Sequence, residues 1–493
     1  LKLAAAPPEI ESFSNYMFIG PHPDDIEIGC GSSAAKLAAE GKQVTFLILT
    51  DGRYGDGFSG GIKGDTLAEL RRKESVRSAE VLGVTDVRFL GLSDGGFYPY
   101  EDMLNGIAKT VGECAPDLIF APDPLTVREL HVDHLNTGNA DVQQFVLDFL
   151  KQCIDLGVDG FRIDVIDQIS KEFPTRNCFG PHLHEYINQM FGREKTAHLF
   201  TVGECWASDM DEVRRHCAAE RNELTTLFQF EHSDLGRDTK YERRPQSLTA
   251  ARDILIKWQK IADDNDLLYS LFTDNHDSSP FLSRMGNDQE LRYESATCIA
   301  AMFYTLRGIP FIYQGQEFGT ALPNYNSLED FDDIEGINKY HEDLPIFGQE
   351  KAMERINFGS RDGFRRPMCW NGEAYGGFST VKPWISTHSR YQEVNLEADK
   401  ASEKSVFRFF QNLLKLRLNT PAILYGTLNV VNKPEDPFFV FERAYEGEKY
   451  TVICNFEQES KISVPENTEV VLQNYLDRAE TFRPYEILVV KHK

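Results

Sequence analysis

His131 to Asp164 reads HVDHLNTGNADVQQFVLDFLKQCIDLGVDGFRID, and two kinds of chemistry meet across it. It opens with His131-x-Asp-His134, which looks like the end of a metal site. It closes with Gly160-Phe-Arg-Ile-Asp164, a strand run whose arginine and carboxylate stand two residues apart. Between them Phe145, Phe149, Cys153 and Leu156 recur at spacings of three and four, which predicts a single helix. Residues before this junction serve the first site, and residues after it serve the second.

Upstream, MFIG, VTFLILT, VRFLGL and LIFAP are short apolar runs that end in Gly, Asp or Pro, as buried parallel strands do. Helical segments separate them, the clearest from Thr66 to Leu82. This βαβ alternation predicts a doubly wound sheet, whose ligands bind beyond the carboxyl ends of the strands. Pro21-His-Pro-Asp-Asp25 follows the first run, and a loop leading to His131 and His134 follows the fourth. A histidine and a carboxylate from one strand end, with a histidine from another, can hold zinc and leave one position open. A water there becomes hydroxide-like near neutral pH, and a second carboxylate can take its proton.

These residues resemble the zinc de-N-acetylases of the LmbE-like, PIG-L-type family. The likeness spans roughly residues 16–140 and includes the Thr50-Asp-Gly52 turn and Arg71-Arg-Lys-Glu74. It implies that His22, Asp25 and His134 bind zinc, that Asp24 is the general base, and that His131 stabilises the oxyanion. The implied substrate is of the N-acetylglucosamine type.

Downstream, Gly157 to Ile166 is a strand run with Arg162 and Asp164 on one side, so that the two can pair. Asp164 is expected to be buried and to stay ionised beside Arg162. Leu199 to Glu204 and Leu271 to Asp277 each end another strand in a carboxylate. Carboxylates at the carboxyl ends of separate strands are what a barrel hydrolase presents at its working face. These motifs resemble the α-amylase superfamily (glycoside hydrolase family 13), in its oligo-1,6-glucosidase and α-glucosidase branch. Ile309 to Glu317 and Ser360 to Trp370 extend the likeness, which covers about 142–493. It implies Asp164 as nucleophile, Glu204 as acid/base and Asp277 as transition-state stabiliser. Arg162 would orient Asp164, His276 would hydrogen-bond sugar hydroxyls, and Val165 would favour α-1,6 links. Such retaining enzymes hold their two carboxyl groups about 5–5.5 Å apart, with the acid's pKa raised.

In that family Asp164 would lie on the fourth of eight strands, and the Asp-x-x-x-Asn-His motif after the third is missing here. Five βα units cannot close an eight-stranded barrel, and an open sheet leaves unpaired edges. The expected architecture is therefore α/β. A Rossmann-like, doubly wound domain (1–140) joins a partial (β/α)8 TIM barrel of strands four to eight (141–415), followed by an antiparallel β-domain (416–493). Three functional readings stand. The first is a fusion with a zinc de-N-acetylase site and an impaired α-glucosidase site. The second is an α-glucosidase whose barrel the N-terminal domain completes, and the third is a non-catalytic sugar-binding relic or chimera.

Bulk properties narrow the class. A formal charge of -25 excludes a nucleic-acid binder, whose phosphates demand Lys and Arg. With 41% hydrophobic residues the chain can bury large cores. Nine scattered cysteines without a Cys-x-x-Cys pair point to reduced thiols. No run of 18 apolar residues suggests a membrane span, and residues 1–10 lack the basic start of a secretory signal. The expected setting is cytoplasmic, with small carbohydrate partners and a homo-oligomer covering the open barrel edge. Asp330 to Glu335, rich in acids, reads as a solvated loop.

Overall fold

The computed structural model describes residues 12–54, 64–94, 100–121, 140–170, 178–192, 199–207 and 210–493. The chain forms two compact units, Leu1–Asp148 with Ile169–Gly180, and Phe149–Gln168 with Pro181–Lys493.

In the first unit the four apolar runs are strands β1 (Asn15–Gly20), β2 (Gln43–Thr50), β3 (Asp86–Leu92) and β4 (Leu118–Phe120). They pair in parallel in the order β3-β2-β1-β4. Side chains alternate along each strand, so β1 and β2 feed two cores. Tyr16, Phe18, Phe46 and Ile48 pack with Ile26, Ala34 and Leu37 of α1 (Asp25–Ala39) and Ala79 of α2 (Gly64–Val81). Met17, Ile19, Leu47 and Leu49 pack with Met103, Ile107 and Val111 of α3 (Tyr100–Cys114). With helices on both faces, β2 is buried continuously from Val44 to Thr50, which is why it reads as an unbroken apolar run. Each fully buried Phe or Ile in these cores contributes about 1.5–3 kcal/mol.

The edge that carries His22 is fixed locally. Pro21 ends β1, and its carbonyl accepts from both the amide and the hydroxyl of Thr50, at 2.8 and 2.9 Å. Gly52 turns away at φ 65°, where a Cβ would meet the Pro23 ring at 3.1 Å, so only glycine suits that position.

The second unit contains five strands in parallel pairing. They are β5 (Gly160–Ile163), β6 (Phe200–Glu204), β7 (Thr226–Phe228), β8 (Ser270–Leu271) and β9 (Ile309–Pro310). β5-β6-β7 form one parallel sheet and β8-β9 another. Thr226 Oγ1 donates to Leu268 O at 2.6 Å, tying β7 to the approach of β8. Gly160 lets β5 and β6 come close, since a Cβ there would lie 2.4 Å from Phe200 O. The junction helix is present as α4 (Ala140–Asp155). α5 (Leu183–Phe191), α6 (Met210–Cys217), α7 (Leu248–Asn265) and α8 (Arg292–Tyr304) follow.

The C-terminal strands are β10 (Thr427–Val430), β11 (Phe438–Tyr445), β12 (Glu448–Asn455), β13 (Thr468–Gln473) and β14 (Ile487–His492). They form an antiparallel sheet in the order β10-β11-β12-β14-β13. The sheet is pinned to the helices by buried polar side chains. Arg252 of α7 donates to the carbonyls of Pro434 and Phe438 at 2.6 and 3.0 Å. Asn474 donates to Thr297 Oγ1 of α8 at 3.0 Å. None of the nine cysteines is joined in a disulfide. Among the described residues no helix is long and apolar enough to cross a membrane.

Candidate active site

Arg162 and Asp164 end β5, Glu204 ends β6, and Asp274 to Asp277 follow β8, so these side chains share the carboxyl edge of the parallel strands. The Arg162 guanidinium bridges two of the carboxylates. Its Nη1 hydrogen-bonds Asp164 Oδ1, and its Nη2 donates to Glu204 Oε2 at 2.7 Å. The planar fork of arginine suits this double contact. Val165 adds its amide to Glu204 Oε2 at 3.3 Å. To do so it adopts φ 34°, which is strained for a β-branched residue and typical of functional sites.

The two carboxyl groups differ in environment. Asp164 is 69% exposed whereas Glu204 is only 10% exposed, which corrects the expectation that Asp164 is the buried one. Burial, together with the hydrogen bond to Asp164, raises the Glu204 pKa above the ordinary carboxyl value. Burial also pushes Asp164 upward, but hydrogen bonds from Glu204 and Arg162 outweigh it and leave Asp164 lowered. Burial thus favours the protonated form of Glu204 and the hydrogen bonds favour the anion of Asp164, the direction of split that acid and nucleophile require.

Asp277 is held from both sides. Its Oδ1 accepts from Arg361 Nε at 3.0 Å and from Arg365 Nη2 at 2.8 Å, while Oδ2 faces His276 Nε2 at 3.0 Å. His276, expected to reach sugar hydroxyls, here partners Asp277. Arg162, Glu204, His276 and Asp277 line one cavity of about 260 Å³, walled by Phe228, Phe272, Phe311 and Tyr313. Aromatic rings and charged side chains together line this small pocket.

Sequence reasoning assigned Arg361 and Arg365 no role. They lie four apart around the short helix Asp362–Arg365, and that spacing was the available signal. The Asp330 to Glu335 segment is not simply a solvated loop. Asp333 caps the helix Ile334–Gly359 and accepts the Arg361 amide at 3.1 Å, and Glu335 pairs with Lys240 and Arg361. These acids therefore steady the arginine that reaches Asp277.

At the edge of β1, His22 Nδ1 lies 3.4 Å from Asp25 Oδ2, and its Nε2 lies 3.2 Å from Asp94 Oδ1. Hydrogen bonds to Asp25 and Asp94 push the His22 pKa up to about 9, against the opposing effect of burial. Asp94, after β3, is a neighbour that sequence reasoning missed. Asp24 is paired with Arg71 at 2.6 Å. An imidazole facing carboxylates is donor chemistry that suits zinc, so His22 and Asp25 fit the metal. His131 and His134 lie outside the described residues.

A family model for the alpha-amylase catalytic domain matches residues 125–426, and one for GlcNAc-PI de-N-acetylase matches residues 17–145. An oligo-1,6-glucosidase of Bacillus cereus is 35% identical over 391 residues, covering 73% of this chain and 70% of that protein. A trehalose-6-phosphate hydrolase of Bacillus subtilis is 31% identical, covering 72% and 68%. Among solved structures, a mutant isomaltulose synthase of Erwinia rhapontici has a TM-score of 0.66 at 26% identity, covering 72% of this chain and 69% of that one. A trehalose-6-phosphate hydrolase of Bacillus licheniformis has a TM-score of 0.69 over 97% of this chain and 99% of that one; at 21% identity that likeness concerns fold alone. The two family matches make the chain a fusion of the two domain types.

Proposed function

The chain belongs to the alpha-amylase family, a family of hydrolases, and from that premise we propose that it is a retaining α-glucosidase acting on short α-1,6-linked glucosides. The observation that carries this reading is the Arg162 guanidinium joining Asp164 and Glu204 beside the cavity that Asp277 lines. Similarity to oligo-1,6-glucosidases supports it over the reading that puts the N-terminal site first and treats the glucosidase as impaired.

The chemistry follows from the side chains. Glu204, whose protonated form burial favours, gives its proton to the glycosidic oxygen as the bond to the anomeric carbon breaks. Asp164, its anion favoured by Arg162 beside the cavity, attacks that carbon and forms a glycosyl ester. Positive charge developing on the ring is met by Asp277, whose own position is fixed by Arg361 and Arg365. Glu204, now a carboxylate, then takes a proton from water, and the water oxygen releases the sugar from Asp164. Val165 directly follows the nucleophile, and by family likeness it is the residue that favours α-1,6 substrates.

The test is hydrolysis of p-nitrophenyl α-glucoside and isomaltose by the full chain and by its Asp164→Asn variant. Turnover within the usual range of about 1–1000 per second, abolished in the variant, is the expected result. An inactive chain, or a variant as active as the parent, defeats the proposal.

A second reading is carried by the de-N-acetylase match over residues 17–145 and by the gathering of His22 and Asp25. In it the Rossmann-like N-terminal domain binds zinc through His22, Asp25 and His134. Zinc held there would supply Lewis acidity toward an acetamide carbonyl. Asp24, steadied by Arg71, would take the proton from the attacking water, and His131 would face the developing oxyanion. Zinc near one equivalent at this site, lost in His22→Ala, together with acetate release abolished by Asp24→Asn, is the expected outcome. Acetate release that survives Asp24→Asn removes this reading without touching the first.

A further inference from the structure

α5 precedes the strand that carries Glu204, and α6 follows it. Their side chains meet in a cluster outside both sites described above. His184 comes from α5, while Glu212 and His216 stand four apart on α6 and so share one face of that helix. One ligand atom from each of the three lies within 4.8 Å of the others.

The hydrogen bonds around the two imidazoles fix which nitrogen carries the proton. His184 Nδ1 lies 2.9 Å from Glu223 Oε2, and His216 Nδ1 lies 2.8 Å from the backbone carbonyl of Glu212. Both partners are acceptors, so each Nδ1 is the donor, and in the neutral ring each Nε2 presents a lone pair. His216 is fully buried, and its Nε2 has no hydrogen-bond partner among the described residues. His184 Nε2 faces another acceptor, Glu212 Oε2, at 3.4 Å. Two imidazole nitrogens and a carboxylate oxygen that converge in this way are the donor atoms a cation can join.

We propose that His184, Glu212 and His216 form a binding site for a divalent transition metal, zinc by preference. Ligand atoms at about 2.0–2.1 Å from a tetrahedral zinc sit roughly 3.3 Å apart, and the His184–Glu212 separation of 3.4 Å matches that edge. Two imidazoles with one carboxylate select zinc-like ions over calcium or magnesium, which take oxygen ligands. Glu223, with 1% of its side chain exposed, orients His184 from behind and is itself held by Arg221 at 2.9 Å. That is the carboxylate–histidine–metal arrangement, which fixes the ring and raises its basicity. His184 and Glu212 keep 18% and 21% of their side chains exposed, which leaves the ion a way in. Three protein ligands leave a fourth position for water. The metal would clamp α5 to α6 and brace the strand ending in Glu204.

The experiment uses the full chain carrying His22→Ala, so that the N-terminal cluster is disabled, after stripping with a chelator. Zinc is titrated by calorimetry and cobalt(II) by its visible absorption bands. The expected result is one equivalent bound, tetrahedral cobalt bands, and a melting temperature raised by zinc. Adding Glu212→Gln, a partly exposed position that tolerates an isosteric change, should weaken zinc binding at least tenfold and remove the thermal shift. His216→Asn should do the same if it folds. A His22→Ala chain that binds no zinc overturns the proposal, and so does binding that Glu212→Gln leaves unchanged.

Discussion

Replacing Arg162 with methionine keeps the length of the side chain and removes the fork that joins Asp164 and Glu204. The two arms are not equal. The contact to Asp164 reaches a carboxylate that is 69% exposed, so solvent screens it to about 0.2–1 kcal/mol. The contact to Glu204 reaches a side chain only 10% exposed, and a hydrogen bond to such a charged group contributes about 1.5–3 kcal/mol. Together they amount to about 2–4 kcal/mol. If that orientation is used in the transition state, kcat/KM should fall roughly 30- to 1000-fold, at tenfold for each 1.36 kcal/mol. The pH profile carries a second signature. Hydrogen bonds from Glu204 and Arg162 hold Asp164 low against the pull of burial, so without Arg162 the acidic limb should move toward neutral pH. The assay is p-nitrophenol release from the α-glucoside across a pH series for both proteins. A variant within threefold of the parent, with both limbs in place, would refute the bridging role of Arg162.

Glu204→Gln should slow hydrolysis of isomaltose by roughly 10²–10⁴-fold and abolish the alkaline limb of the pH profile, which burial of Glu204 sets above the ordinary carboxyl range. Azide should restore turnover of the p-nitrophenyl substrate, read as glucosyl azide by mass spectrometry; no rescue would argue against Glu204 as acid/base. Two buried histidines predict acid sensitivity of the second unit. Burial lowers His232 and His388 from 6.5 to about 3, so the unfolded chain binds their protons first. Their stabilising effect is complete above pH 6.5 and is lost as pH falls toward 3, at about 1.4 kcal/mol per pH unit for each histidine. Urea melts between pH 7 and 5 should show this loss, and His232→Phe should blunt it; a flat midpoint over that range would contradict the assignment.

The strands were legible because burial on both faces leaves a plain signature, as in the run Val44 to Thr50. The carboxylates at strand ends were legible for a related reason. A charged residue that closes an apolar run must either find a partner or face a ligand, and Asp164, Glu204 and Asp277 each do so. Their environments were not legible. Arg162 and Asp164 share a strand side, as the period of two requires, but which carboxyl is buried depends on β6 and the aromatic wall around Glu204. Arg361 and Arg365 reach Asp277 from more than 80 residues away, and Asp94 reaches His22 across 72 residues. No local period encodes such contacts. His184, Glu212 and His216 escaped notice for the same reason, since only the packing of α5 on α6 brings them together.

The measurement that bears most directly on the account is covalent trapping at the cleft. The full chain is incubated with 5-fluoro-α-glucosyl fluoride, whose ring fluorine slows release of the glycosyl ester, and is then digested for peptide mass mapping. The account predicts one fluoroglucosyl unit on the peptide containing Asp164, absent from Asp164→Asn. Label at another carboxylate, or an unlabelled protein that still hydrolyses isomaltose, would contradict it.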